Sequence, residues 1–325
     1  MSPATPTRGE SERDQQQAVS PPARAGAPIP RAAPAESRVH RPQPPPVAYW
    51  LSSLLTLAAL VAAVVGVFFP GVFRDPATTA GNAQGTSLVI LVVAIPAVVA
   101  GMLLTAREPD STGAPRAEVV WLGALGYLAY NGVIFAFDTA FNELFLAYVA
   151  MLSLAVWSLV VLLSHADVTG IRAAFRHAAA ARAIAAYMLA VAALFAFTWL
   201  SQIIPALVTH GVPSPLVGTK MLTSPVHVLD LGFLLPVTVL AAIWLWQRRP
   251  WGYFLAGVML VLIVIETASI ATDQWFGHLH DPSAPLATVP MFAVFTLIGL
   301  VPTVALLWHL RRSDEVPSSQ RTLRP

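Results

Sequence analysis

The chain has 325 residues, of which 56% are hydrophobic and only 11% charged, with a mean hydropathy of +0.66. Soluble chains carry about 25% charged residues, so this composition excludes a soluble globular protein and points to a polytopic membrane protein. The absence of cysteine excludes disulfides, thiolate metal sites and cysteine nucleophiles. The pI near 9.2 comes from arginines placed for membrane orientation, as their distribution shows, so no nucleic-acid partner is expected.

Residues 1–46 hold eleven of the 28 prolines and almost no large apolar side chain. Such a segment cannot bury enough surface to offset its ordering entropy, so a disordered Pro/Arg-rich cytoplasmic tail is expected. The run Pro42–Pro46 reads as a spacer or as a polyproline II ligand. Eight apolar segments follow, at roughly 47–69, 86–106, 118–137, 143–164, 183–204, 225–246, 252–272 and 289–310. About 20 apolar residues at 1.5 Å rise reach the ~30 Å of a hydrocarbon core, so each segment is a transmembrane helix. With the N-terminus in the cytoplasm, 17 of the 19 basic residues fall on cytoplasmic segments, and only Arg74 and Lys220 lie outside. The positive-inside rule therefore predicts an all-α bundle of eight transmembrane helices over 47–312, with both termini inside. A second cytoplasmic tail follows at 313–325. Arginine's near-complete replacement of lysine suggests a GC-rich prokaryotic genome and hence a plasma-membrane location.

Smaller features agree with this arrangement. Trp50, Trp121, Trp244, Trp246, Trp251 and Trp308 fall near inner helix ends, as an aromatic belt. The loop 165–182 spaces Ile171 and Phe175 helically beside Arg172, Arg176 and His177, which predicts an amphipathic helix held on anionic lipid. Pro96, Pro236 and Pro302 sit inside spans and are expected to kink them.

The stretch 224–273 is a transmembrane hairpin turned at Gln247-Arg248-Arg249-Pro250. Three ionisable side chains interrupt it: His227, Asp230 and Glu266. A charged side chain at mid-membrane costs about 2.5–3.5 kcal/mol on insertion scales, so each needs a partner or a purpose. On the predicted topology they gather in the outer half, together with Tyr127, Asn131 and Asp138, Asn142 and Glu143, and Trp199 and Gln202. Structural readings stand beside the functional ones. Ser224 fits an N-cap with Pro225 at the first helical position, and Asp230 suits the positive end of the helix dipole. Asn142 and Glu143 fit caps of a short turn, and His278-Leu279-His280-Asp281 resembles a loop metal site.

His227 and Asp230 are three apart and share a helix face, and the short turn at 247–250 brings Glu266 to similar depth. Two chemistries fit. The three can hold a divalent cation, or they can form a protonatable relay with Asn131 and Gln202 as hydrogen-bonding neighbours. Neither haem nor nucleotide is expected, because the only histidines within spans are His227 and His309 and no phosphate-binding fingerprint occurs.

Tyr130-Asn131, then Phe141-Asn142-Glu143-Leu144-Phe145-Leu146-Ala147-Tyr148, together with the stretch HVLDLGFLLP (227–236) and Arg249-Pro250-Trp251-Gly252-Tyr253, resemble the motifs of a family of uncharacterised multi-pass bacterial and archaeal membrane proteins. The resemblance covers residues 120–272. It implies that the outer-half polar residues belong to a shared part of the fold, and it lends no activity.

Three functions follow as expectations. The first is binding, sensing or transport of a small molecule or cation at an outward-facing polar pocket. The second is a membrane-embedded metal-dependent hydrolase or redox enzyme using His227, Asp230 and Glu266. The third is a structural or assembly subunit in which the polar groups bridge helices. Few polar residues line the inner halves, which places binding or sensing ahead of full transport.

Overall fold

The structure is a computed structural model and describes residues 43–107, 114–166, 168, 178–217, 219 and 221–311. Most of the N-terminal tail, the C-terminal tail and most of the expected amphipathic segment 165–182 lie outside these residues. Pro45 is extended, with φ −67° and ψ 152°, and Pro46 takes the first helical position, where its missing N–H costs nothing.

Eight helices among the described residues are long and apolar enough to cross a membrane. They are α1 Pro46–Phe68, α2 Ala77–Arg107, α3 Ala114–Phe137, α4 Phe145–His165, α5 Ala178–Val208, α6 Pro225–Trp246, α7 Pro250–His280 and α8 Thr288–Arg311. The protein is thus an all-α, multi-pass integral membrane protein. α3 and α7 form its centre: 67% and 61% of their apolar windows are buried, against 22–33% for the other six. α7 packs against α2, α3, α6 and α8, whereas α5 lies chiefly against α6.

The α1–α2, α3–α4 and α7–α8 connections lie on one side of the bundle. Arg74 pairs with Glu143, both oxygens of Asp75 accept from the Ala140 N–H at 2.9 and 3.1 Å, and Thr78 Oγ1 donates to Asp281 Oδ2 at 2.8 Å. On the opposite side the α6–α7 turn closes as a Schellman motif. The Arg249 N–H donates to the Trp244 carbonyl at 2.9 Å, with Arg248 in the left-handed region at φ 58°.

Three helices are much longer than expected. α5 runs Ala178–Val208 rather than 183–204, α2 begins at Ala77 rather than 86, and α7 runs to His280 rather than 272. The segment ATTAGNAQGTS has too little hydropathy to read as a span, but its glycines allow close helix contact. A Cβ on Gly85 would sit 2.7 Å from Asp273 Cα, and one on Gly81 would sit 2.5 Å from the Phe276 carbonyl oxygen. This is Gly-x-x-x-Gly packing, in which small residues let two backbones approach. His278, His280 and Asp281 accordingly belong to the end of α7 and not to a free loop. They are tied separately: His278 Nδ1 to the Ala284 carbonyl at 2.8 Å, His280 Nε2 to Gln84 Oε1 at 2.7 Å, and Asp281 to Thr78 and Ser283.

Two of the three expected proline kinks take a specific form. In α2 and α6 the helix widens into one π-helical turn just before the proline, at Ile90–Ala94 and Asp230–Leu234. The Ile95 N–H then reaches the Ile90 carbonyl, and the Leu235 N–H reaches that of Asp230. A wider turn relieves the clash between the proline ring and the preceding turn. Trp121 is not part of an aromatic belt: it is fully buried and its Nε1 donates to Ser52 Oγ at 3.1 Å. Asn142 and Glu143 precede α4. Asn142 builds the turn itself, accepting from the Leu144 N–H at 2.9 Å and donating to the Ala140 carbonyl at 3.0 Å.

Candidate intramembrane carboxylate site

The site is assembled by α3, α5, α6 and α7. At the start of α6 the Ser224 side chain accepts from the His227 N–H at 3.3 Å and caps the helix, as its position before Pro225 predicts. One turn later the π-helical turn opens at Asp230, a residue only 5% exposed. Two side chains from other helices satisfy it. Tyr130 of α3 donates to Oδ1 at 3.0 Å and Trp199 of α5 donates to Oδ2 at 2.7 Å. His227 packs its ring against Trp199, with centroids 4.8 Å apart, and makes no ion pair with Asp230 or Glu266 among the described residues.

Glu266 lies on the buried side of α7 and points at α3. The Asn131 amide donates to its Oε2 at 3.1 Å and to the Tyr127 carbonyl at 3.2 Å. Tyr127, Tyr130 and Asn131 are spaced i, i+3 and i+4, so α3 presents all three on one face. Glu266 and Asp230 line one cavity of about 30 Å³, whose wall also includes Tyr130, Ala192, Phe195 and Thr238. Phe195 packs in turn against Phe292 and Phe295 of α8, with centroids 6.2 and 5.9 Å away.

From Glu266 a line of polar groups follows α7 toward its C-terminal end. Tyr127 Oη donates to Ser269 Oγ at 2.9 Å, and Asp273 lies one turn further along the same face of α7. Thr86 of α2 donates to Asp273 Oδ1 at 2.9 Å. The Asn82 amide nitrogen donates to the Asp273 carbonyl at 2.9 Å and to the Thr78 carbonyl at 3.1 Å. Thr78 then reaches Asp281. Three carboxyl groups (Asp230, Glu266 and Asp273) therefore stand within the bundle, and none has a lysine or arginine partner among the described residues.

Asp138, just beyond α3, is a separate acidic position at the helix ends. Burial raises its pKa to about 6, and the nearby Asp75 carboxylate adds to the shift. Its Oδ1 is buried without a hydrogen-bond partner among the described residues. Asp281 behaves oppositely: hydrogen bonds from Ser283 and Thr78 hold its carboxyl below the usual range.

Of the residues picked from the sequence, Asn131, Asp230 and Glu266 come together. His227 borders the site through Trp199 and does not line the cavity. Gln202 also stays outside the cavity wall, with its Oε1 buried and unpaired among the described residues. His227, Asp230 and Glu266 do not form a three-ligand group able to hold a metal ion, and no such group occurs among the described residues. Both oxygens of Asp230 already accept hydrogen bonds. The sequence reading missed the pairing of Tyr130 and Trp199 with Asp230, and it missed the N-terminal part of α2 and its bonds to Asp273. The Gly81/Gly85 pair, with Asn82 and Thr86 beside it, was the available signal. Comparison with known proteins gives no match to any family profile, curated protein or solved structure.

Proposed function

We propose that this protein binds a small cation, a proton or a single desolvated ion, at the Asp230–Glu266 cavity, as part of a binding or sensing role in a prokaryotic plasma membrane. One observation carries the reading: two carboxyl groups line the same cavity and neither has a basic partner among the described residues. Buried charge in a low dielectric must be neutralised, so these groups hold protons or take a cation. The cavity volume of about 30 Å³ suits one or two water-sized guests, whereas a benzene-sized guest needs about 150 Å³. The reading thus narrows the expected ligand from a small molecule to an ion.

Binding is favoured over transport because the polar line leaves the site in one direction only, toward the α7–α8 connection. Toward the other side the cavity meets Leu234, Leu235, Ile263 and Thr238, whose hydroxyl donates to the Leu234 carbonyl of its own helix at 2.7 Å. The positive-inside distribution supports placing the α7–α8 connection outside and both termini in the cytoplasm. The motif resemblance supports the same focus, because Tyr130, Asn131, His227 and Asp230 all fall within the motifs and are buried. Metal-dependent enzyme chemistry has no three-ligand group in its support among the described residues.

Trp199 supplies the test, because its indole N–H sits on Asp230. The purified protein in lipid nanodiscs is titrated with acid, then with Na⁺, K⁺, Li⁺ and Mg²⁺ at fixed pH, while tryptophan fluorescence is followed. A saturable change that Trp199→Phe removes and Glu266→Gln abolishes supports the site. No such change with any ion would sink it.

A further inference from the structure

Resting on that reading, we propose that the species taken up is the proton, and that it reaches Glu266 from the α7–α8 side of the membrane through Asp273, with the hydroxyl groups of Ser269 and Tyr127 as intermediate carriers. Glu266, Ser269 and Asp273 are spaced i, i+3 and i+7 and occupy one face of α7, over about 10 Å of axis. That face is covered by α3 and α2, and each covering helix contributes groups that continue the line. Tyr127 is fully buried and donates to Ser269 Oγ at 2.9 Å; Ser269 is 1% exposed. Thr86, 5% exposed, donates to Asp273 Oδ1 at 2.9 Å. The titratable groups facing this line are Glu266 and Asp273 on α7, Tyr127 and Tyr130 on α3, and Asp230 on α6. α2 contributes only Thr86 and Asn82.

The chemistry favours a proton over a metal ion. A hydroxyl can accept one proton while releasing another, so a chain of hydroxyl and carboxyl groups moves a proton with no net change in its members. A metal ion would need several oxygens converging on one point, and the oxygens here are strung out singly along the helix. In each transfer a proton from water protonates the Asp273 carboxylate. Asp273 passes a proton to Ser269, one turn away on the same face. The hydrogen-bonded Ser269–Tyr127 pair hands one on, and the Glu266 carboxylate, one turn from Ser269 on that face, receives it. One O–H bond breaks for each that forms, and charge is conserved. Asp273 accepts from Thr86 across the α2–α7 contact, and its carboxylate makes no ion pair among the described residues.

The experiment is time-resolved infrared spectroscopy of the full chain in nanodiscs after a laser-released proton pulse. The protonated-carboxyl band of Glu266 is identified by its loss in Glu266→Gln. The proposal expects that band to rise in the wild type and to rise at least tenfold more slowly in Asp273→Asn and Ser269→Ala. The rate should recover in Asp273→Glu and be unchanged in Asp138→Asn. An unchanged rise in Asp273→Asn overturns the relay while leaving the Asp230–Glu266 site standing. A Glu266 band that ignores protons, alongside a Trp199 response to a metal cation, overturns the proton as ligand. A site unresponsive to both overturns the binding reading itself. Should Asp273→Asn fail to fold, Ser269→Ala and Tyr127→Phe decide the matter on the same readout.

Discussion

Asp230 is held in the bundle by donors from two other helices, and its replacements separate hydrogen bonding from charge. In Asp230→Ala the Tyr130 hydroxyl and the Trp199 indole N–H lose their acceptor in a buried place. Interhelical hydrogen bonds in membrane proteins average about 0.6 kcal/mol each, and a stranded buried group costs about 1–3 kcal/mol. A loss of about 1–3 kcal/mol is therefore expected on thermal or denaturant unfolding in detergent. Asp230→Asn retains one acceptor and should lose less than half of that. Equal losses in the two variants would mean that the carboxylate, not its hydrogen bonds, matters to stability.

Asp138 gives a pH signature of known sign. Its pKa is raised from 3.8 to about 6 by burial and by Asp75. Between those values the folded state binds more protons than the unfolded state, so stability falls as pH rises through that window. Melting temperatures measured from about pH 4 to about pH 7 should decline in the wild type. Asp138→Asn should flatten the profile and raise the neutral-pH melting temperature. A flat wild-type profile would show that the group is solvated at that helix end.

At the scale of elements, the contact between α2 and α7 depends on the absence of side chains at Gly81 and Gly85. The contact positions Thr86 and Asn82 on Asp273. Gly85→Leu places a branched side chain where even a Cβ is 2.7 Å from the Asp273 backbone. Overpacking of this kind costs about 1–3 kcal/mol or more, and here neither backbone can yield without separating the helices. The variant is expected to melt lower and to lose the Thr86–Asp273 bond. A melting temperature within a degree or two of wild type would show that α2 and α7 are not held this tightly. The π-helical turns before Pro96 and Pro236 belong to the same scale. Each trades one regular turn for room beside a proline ring, and the turn in α6 begins at the site's own aspartate.

For the whole molecule, the decisive expectation is orientation. Ser283→Cys lies in the α7–α8 connection and Arg248→Cys in the turn on the opposite side. The native chain has no cysteine, so each variant carries a single thiol. An impermeant maleimide added to intact cells should label Ser283→Cys, whereas Arg248→Cys should react only after lysis. The reverse pattern would invert the membrane and send the polar line on α7 to the cytoplasm.

The sequence alone determined the class and the number of spans, because a bilayer imposes length and hydropathy on each helix separately. It also marked Glu266, Asp230 and Asn131, since a polar group among apolar residues is visible wherever it lies. Partnership was decided by the tertiary structure. Whether Asp230 meets His227, as their shared face suggested, or Tyr130 and Trp199, as it does, depends on how α3 and α5 rotate and on the turn inserted at Asp230. The full length of α2 and α7 was hidden for a related reason. A weakly apolar helix such as Ala77–Val89 is stable only because another helix covers it and bonds its polar groups, and that neighbour, almost two hundred residues away in the chain, is found only by folding.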